Sequence, residues 1–192
     1  MPKARVVIAE DEAIIRLDLK ELLEEEGYEV VGETGRGDEA VELVRDLRPD
    51  IALLDIKMPG LGGLAATRHI AGERLAAVLI LTAFSQRDLV EQARDAGAIG
   101  YIVKPFQKSD LIPAIEVALA RHQEIVDLEH DVGDLSQRLE GRKVTDRAKD
   151  ILRDRHGLDG SAAWRFLQTQ AMNRRVKVHE AAQLVLDGTL TP

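Results

Sequence analysis

Carboxylates gather at two points early in this sequence. Glu10, Asp11 and Glu12 are consecutive after the apolar run VVIA, and Asp55 ends the run IALLD. Further on, Thr82 closes LILT, while Lys104 and Pro105 follow YIV. Carboxylates of this kind suit a hard, oxygen-loving cation such as Mg²⁺, which needs few protein ligands and keeps several waters. Such a cation offsets the repulsion between anions and leaves an aspartate able to attack phosphorus. A lysine ammonium can neutralise the arriving phosphoryl oxygens, and a threonine hydroxyl can donate to one. Phosphoryl transfer asks for little more than this positioning and electrostatics. Taken singly, each residue has a plainer use: Asp11 or Glu12 as a helix cap, Asp55 in a turn, Thr82 within a strand, Lys104 at the surface.

The elements that would have to position these groups alternate in type. Strand-like runs occur at Arg5–Ala9, Glu29–Gly32, Ile51–Leu54, Ala77–Leu81 and Gly100–Val103. Between them lie stretches with helical spacing. In the first, Ile14, Ile15, Leu19, Leu22 and Leu23 share one face up to Gly27; others span about 38–48, 63–71 and 86–96. Strands that alternate with helices imply a doubly wound five-stranded parallel sheet of the α/β class, covered on both faces. Ligands bind such sheets outside the carboxyl ends of the strands, where all the residues above fall. The order of the strands is not given by this pattern.

From Ser109 the spacing becomes that of one long helix. Leu111, Ala118, Ile125, Val132 and Leu139 recur every seven residues, with Leu128 and Leu135 three further on. From Ile125 to Leu139 this is a coiled-coil-like seam of about two heptads, interrupted in quality by Arg121 and Gly133. Gly141 permits a break, after which three short helical stripes follow: Val144 to Leu152, Ala163 to Ala171 and Val178 to Val185. Asp159 or Ser161 is placed to cap the second. The organisation expected is a domain over 1–122, a helical linker over 123–137 and a small helical module over 138–192.

Composition narrows the class. The 192 residues are 45% hydrophobic and 31% charged, as in ordinary globular chains. With no cysteine, disulfides, thiolate zinc sites and cysteine nucleophiles are excluded, which fits a reducing cytoplasm. No apolar run approaches the roughly 18 residues that span a bilayer, and the start does not have the form of a signal peptide, so no membrane is expected. The net charge of −8 is unevenly spread. Residues 1–122 carry −7, residues 123–141 carry −5, and residues 142–192 carry +4. A polyanion would meet the C-terminal part.

VVIAEDEAIIRLDLKELLEEEGYEVVGE, LLDIKMPGLGGL, LILTAFS and AIGYIVKPF occur in that order, and residues 4 to about 122 resemble the receiver domain of two-component response regulators. The resemblance implies a flavodoxin-like fold in which Asp55 accepts a phosphoryl group from a sensor histidine kinase. It also implies that Glu10, Asp11, Asp55 and the backbone carbonyl of Lys57 bind Mg²⁺. Thr82 and Lys104 would contact the phosphoryl group, Tyr101 would change rotamer on activation, and the Lys104–Pro105 peptide would be cis. Glu10 stands where many members have Asp; its longer side chain should still reach the metal. The residues two beyond Asp55 and two beyond Thr82, Lys57 and Phe84, flank the path of a hydrolytic water. Neither is an amide or carboxylate able to orient it, so slow self-dephosphorylation is expected.

Residues 138–187 carry RAK, HG, and AMNRR, and resemble the ANTAR domain of AmiR/NasR-type transcription antitermination regulators. With the receiver-like part in front, the chain is similar to actinobacterial phosphorylation-dependent antitermination regulators. The resemblance implies a non-enzymatic, cytoplasmic regulator that binds paired stem-loops in nascent RNA, and homodimerises on activation. Asp150 replaces the glycine usual after Ala-Lys and adds a negative charge beside the RNA face. Arg142, Lys143, Arg147, Lys149, Arg174, Arg175 and Lys177 could neutralise phosphates, with Arg147, Lys149, Asn173 and Arg174 the expected RNA contacts. Trp164 could stack on an unpaired loop base, but a lone tryptophan on an otherwise apolar helix is expected in the core, as are Ala171 and Met172. The alternative output is a DNA-binding helix-turn-helix, although no helix stands out for the major groove. A phosphohydrolase using a D-x-D pair fails at Lys57, where the second carboxylate would stand.

Overall fold

The computed structural model describes residues 4–83 and 87–192, without the side chains of residues 87 and 134–137. Phe84 therefore lies outside the described residues, as does the side chain of Leu135. The chain divides into two compact units, Met1–Asp127 and Leu128–Pro192.

In the first unit, β1 (Arg5–Ala9), β2 (Glu29–Thr34), β3 (Ile51–Asp55), β4 (Ala77–Thr82) and β5 (Gly100–Val103) form a single parallel sheet. Its order is β2-β1-β3-β4-β5. The helices between them are α1 (Ala13–Glu25), α2 (Gly37–Leu47), α3 (Gly63–Gly72) and α4 (Arg87–Asp95). Side chains alternate across a strand, and the two faces are buried separately. Val7, Ala9, Leu54 and Ile80 pack with Ala40, Val44, Ala66 and Ile70 from α2 and α3. Val6, Ile8, Leu53 and Leu79 pack on the other face with Leu19 and Leu23 of α1 and Leu111 and Ile115 of α5 (Lys108–His156). Every residue of β3 and β4 is buried, which is why both read as unbroken apolar runs.

Ile14 departs from the expected inward row: it is exposed, and Ile15, one turn before Leu19, takes the inward side. A second departure is larger. Gly141 does not end a helix, because α5 runs through it to His156, and the first of the three expected C-terminal stripes is the end of α5. A Cβ at Gly141 would lie 3.3 Å from the His179 side chain, so the glycine admits a close neighbour within an unbroken helix.

The second unit packs Ala148 and Leu152 of α5 against Ala163 and Leu167 of α6 (Gly160–Arg174), and Ala182 and Val185 of α7 (Val178–Leu186). Gly157, at φ 65°, closes α5, and the Asp159 carboxylate caps α6 by accepting from the Ala162 N–H at 2.7 Å. Ala171 is buried as expected, but Trp164 and Met172 are not core residues: Trp164 is 40% exposed and Met172 78%. The inward row of α6 is Ala163, Leu167 and Ala171, and each of the two large side chains sits one residue beyond that row, about 100° round the helix. On α5 the heptad residues divide. Leu111 and Ala118 belong to the core of the first unit, while Leu128, Val132 and Leu139 are exposed. No helix among the described residues is long and apolar enough to cross a membrane.

Candidate functional site

Strand register brings the reactive residues to one edge of the sheet. Ala9 pairs with Leu54, so Glu10 and Asp55 are next along two neighbouring central strands. Thr82 pairs with Val103, which sets Lys104 beside it; the Lys104 N–H donates to the Thr82 carbonyl at 2.7 Å. Asp11, Asp55, Lys57, Thr82 and Lys104 line a common cleft of about 380 Å³. The Lys104–Pro105 peptide is cis.

Glu10 is fully buried. Its Oε2 accepts from the Lys104 ammonium at 2.5 Å, and its Oε1 from the Glu12 N–H at 3.3 Å. The same ammonium lies 3.4 Å from Asp55 Oδ1, which also accepts from the Ile56 N–H at 2.8 Å. Lys104 thus holds two carboxylates of the cleft at once. Burial pushes the Glu10 carboxyl above its ordinary range, against the pull of the Lys104 hydrogen bond. Burial raises Asp55 as well, against the attraction of Lys104. Glu12 occupies the N-cap position of α1 without a side-chain cap bond, so its capping role is not realised.

Glu10, Asp11 and Asp55 each offer a carboxylate oxygen within 4.8 Å of the others, an arrangement that could hold a metal ion. The donors are all hard carboxylate oxygens, the kind that Mg²⁺ takes in small number while keeping several waters. The residues present therefore fit Mg²⁺, and Glu10, despite its extra methylene, reaches both the cluster and Lys104.

Tyr101 is 47% exposed and lies with Thr82, Leu89 and Val90 around a narrow slot. Two supporting residues carry no signal by type alone. The Arg16 guanidinium donates to the Glu10 carbonyl at 2.5 Å and pins the end of β1. Gly63 opens α3 directly against the backbone of Asp55: a Cβ there would stand 1.8 Å from the Asp55 carbonyl oxygen. Its place in the motif LGGL was legible, but not the contact.

In the second unit, the four expected RNA contacts separate. Lys149 is half-buried, bonded to Asp146 at 2.6 Å, and lines a cavity with Arg138, Arg142, Trp164, Lys177 and His179. Arg147, Asn173 and Arg174 are exposed and outside that lining. Arg138, Arg142 and Lys149 share a face of α5 at helical spacing of four and seven, a signal hidden by reading a break at Gly141.

The model of the response regulator receiver domain matches residues 6–116, and that of the ANTAR domain matches residues 133–186. The transcriptional regulatory protein PdtaR of Mycobacterium tuberculosis is 54% identical over 188 residues, covering 98% of this chain and 92% of that protein. The chemotaxis protein CheY of Thermotoga maritima is 41% identical over 112 residues, covering 58% of this chain and 93% of its own. Among solved structures, a two-component response regulator of the LuxR family from an Aurantimonas species superposes with a TM-score of 0.59 at 38% identity, covering 62% of this chain and 86% of that one.

Proposed function

Because the chain belongs to the response regulators that join a receiver domain to an ANTAR domain, we propose that phosphorylation of Asp55 by a sensor histidine kinase controls binding of stem-loop RNA by its C-terminal unit. The observation that carries this reading is the cleft in which Asp55, Asp11, Thr82 and Lys104 converge. A carboxylate oxygen of Asp55 attacks the phosphorus of the kinase's phosphohistidine, and the P–N bond breaks with its electron pair leaving on the imidazole. Lys104, 3.4 Å from Asp55, neutralises the incoming oxygens, and Thr82 donates to one of them. Glu10, Asp11, Asp55 and the Lys57 carbonyl would hold Mg²⁺, which supplies charge neutralisation between the two anions. Tyr101, beside Thr82, responds by changing rotamer, and phosphorylation acts by favouring one of two pre-existing states.

The output follows the ANTAR match: a domain at 138–192 behind a receiver at 1–122 and a helical linker at 123–137. It binds paired stem-loops in a nascent transcript in the cytoplasm, so that a terminator does not form. The exposed heptad residues Leu128 and Val132 in that linker, with Leu139 just beyond it, support homodimerisation on activation. That the similar PdtaR is named a transcriptional regulatory protein agrees with this output.

The test is an equilibrium titration of a two-hairpin RNA and of matched duplex DNA, with and without beryllofluoride and Mg²⁺. RNA affinity should rise in the activated state, with little duplex DNA bound. RNA affinity that ignores activation, or preference for the duplex, sinks the reading.

Lys57 and Phe84 set the lifetime of the phosphorylated state, because neither orients a hydrolytic water. Replacing both with Asn or Gln should shorten the half-life of the aspartyl phosphate, measured by loss of label after removal of the donor. An unchanged half-life refutes the assignment.

A further inference from the structure

The indole of Trp164 poses a question that core packing does not answer. It is 40% exposed, although a buried seat on α6 would have removed most of its apolar surface from water. It lies instead in the wall of a cavity of about 750 Å³, within the roughly 300–1,000 Å³ typical of small-ligand sites. One wall is the face of α5 bearing Arg138, Arg142 and Lys149; another is the start of α7, with Lys177 and His179. Gly141 leaves open the space a side chain would take between them, with the His179 ring 3.3 Å from where its Cβ would be.

The charge of this lining is one-sided. Among the described residues that line it, four cations face one carboxylate, Asp146, which is engaged by Lys149 at 2.6 Å. Two described carboxylates nearby have partners of their own: Glu140 accepts from Lys143 at 2.7 Å, and Glu180 from the Lys177 N–H at 3.0 Å. An aromatic face in a positively charged groove is the combination by which single-stranded nucleic acid is held, the ring stacking a base and the cations following the backbone. A peptide helix would instead ask for an apolar stripe, which this charged lining lacks.

Resting on the RNA-binding reading above, we infer that this cavity is a nucleobase site. An unpaired loop base stacks on the Trp164 indole, while Arg138, Arg142 and Lys177 hold the phosphates on either side. Of the residues expected from sequence to meet RNA, Arg142, Lys149 and Lys177 line this site, while Arg147, Asn173 and Arg174 do not.

Trp164 is the only tryptophan of the chain, so its emission reports on the site directly. The full chain, activated with beryllofluoride and Mg²⁺, is titrated with a two-hairpin RNA carrying purine-rich loops. The RNA should quench Trp164 emission. Trp164→Ala should weaken binding about tenfold without changing the dependence on salt, and Trp164→Phe should recover most of that loss. Arg142→Ala should instead lower the slope of log affinity against log salt by about 0.7. RNA that binds the wild-type chain without quenching, and binds Trp164→Ala equally well, overturns the base site and leaves the RNA-binding reading standing. A wild-type chain that binds no RNA overturns both. Polyglutamate that quenches the indole and displaces the RNA overturns the base site in favour of an acidic protein partner.

Discussion

Asp55→Asn is expected to abolish covalent phosphorylation and every response that depends on it. A carboxamide has neither the charge nor the nucleophilicity of the carboxylate, and the neighbouring Glu10 is buried and engaged by Lys104. Incubation with a small-molecule phosphodonor and Mg²⁺ should label the wild-type chain at Asp55 and leave the variant at background by intact mass. The monomer–dimer distribution and RNA affinity of the variant should then be indifferent to the donor. Loss of folding is not the cause, because removing one of three clustered carboxylates relieves like-charge repulsion, and Glu10 still pairs the Lys104 ammonium. Without Mg²⁺ the variant should melt at or above the wild-type temperature. Stoichiometric labelling of Asp55→Asn would move the acceptor to another residue.

Gly63→Ala should have the largest effect on stability, and through it on the cleft. The added Cβ would lie 1.8 Å from the Asp55 carbonyl oxygen, 2.8 Å from its carbonyl carbon and 2.9 Å from Ile56 Cα. All three are backbone atoms, so no side-chain rotation relieves the overlap. The start of α3 would have to move away from the end of β3, breaking the Gly63 N–H to Ile56 carbonyl bond at 3.0 Å. Overpacking of this kind costs about 3 kcal/mol or more, which for a unit of this size lowers the melting temperature by about 10 °C or more. Phosphodonor labelling should fall as well, since Asp55 is the residue displaced. Gly72→Ala, at the far end of the same helix with nothing within 4 Å of the added carbon, should change stability by less than about 1 kcal/mol. A Gly63→Ala melting curve superimposed on wild type would show that the helix start adjusts without cost.

The two units were legible in the sequence to different degrees. Short β-branched or aliphatic runs located all five strands, with β1 and β5 placed to the residue and β2 to β4 ending one or two residues later than expected. The long helix and its seven-residue rhythm were also readable, although the rhythm does not say which partner each residue meets. Leu111 and Ala118 pack on the sheet while Leu128 and Leu139 face outward, and nothing in the spacing separates the two pairs. At Gly141, local propensity favours an interruption, but the close approach of His179 explains why a glycine is used without one. Trp164 was misplaced for the same reason. Hydrophobicity ranks a tryptophan as core, yet Ala163 and Leu167 already fill the inward row of α6.

By itself, the sequence determined the kinds of element, their order along the chain and the inventory of reactive groups, because these depend on neighbours within a few residues. Tertiary structure decided adjacency. β1 and β3 lie side by side although β2 separates them in sequence, and that pairing sets Glu10 next to Asp55 and lets one ammonium hold both. The same holds for the cavity at Trp164, whose lining comes from three helices spread over some forty residues. Strand pairing and helix packing join residues far apart in the chain, and their free energies come from burial and hydrogen bonds summed over the whole fold, which no local pattern encodes.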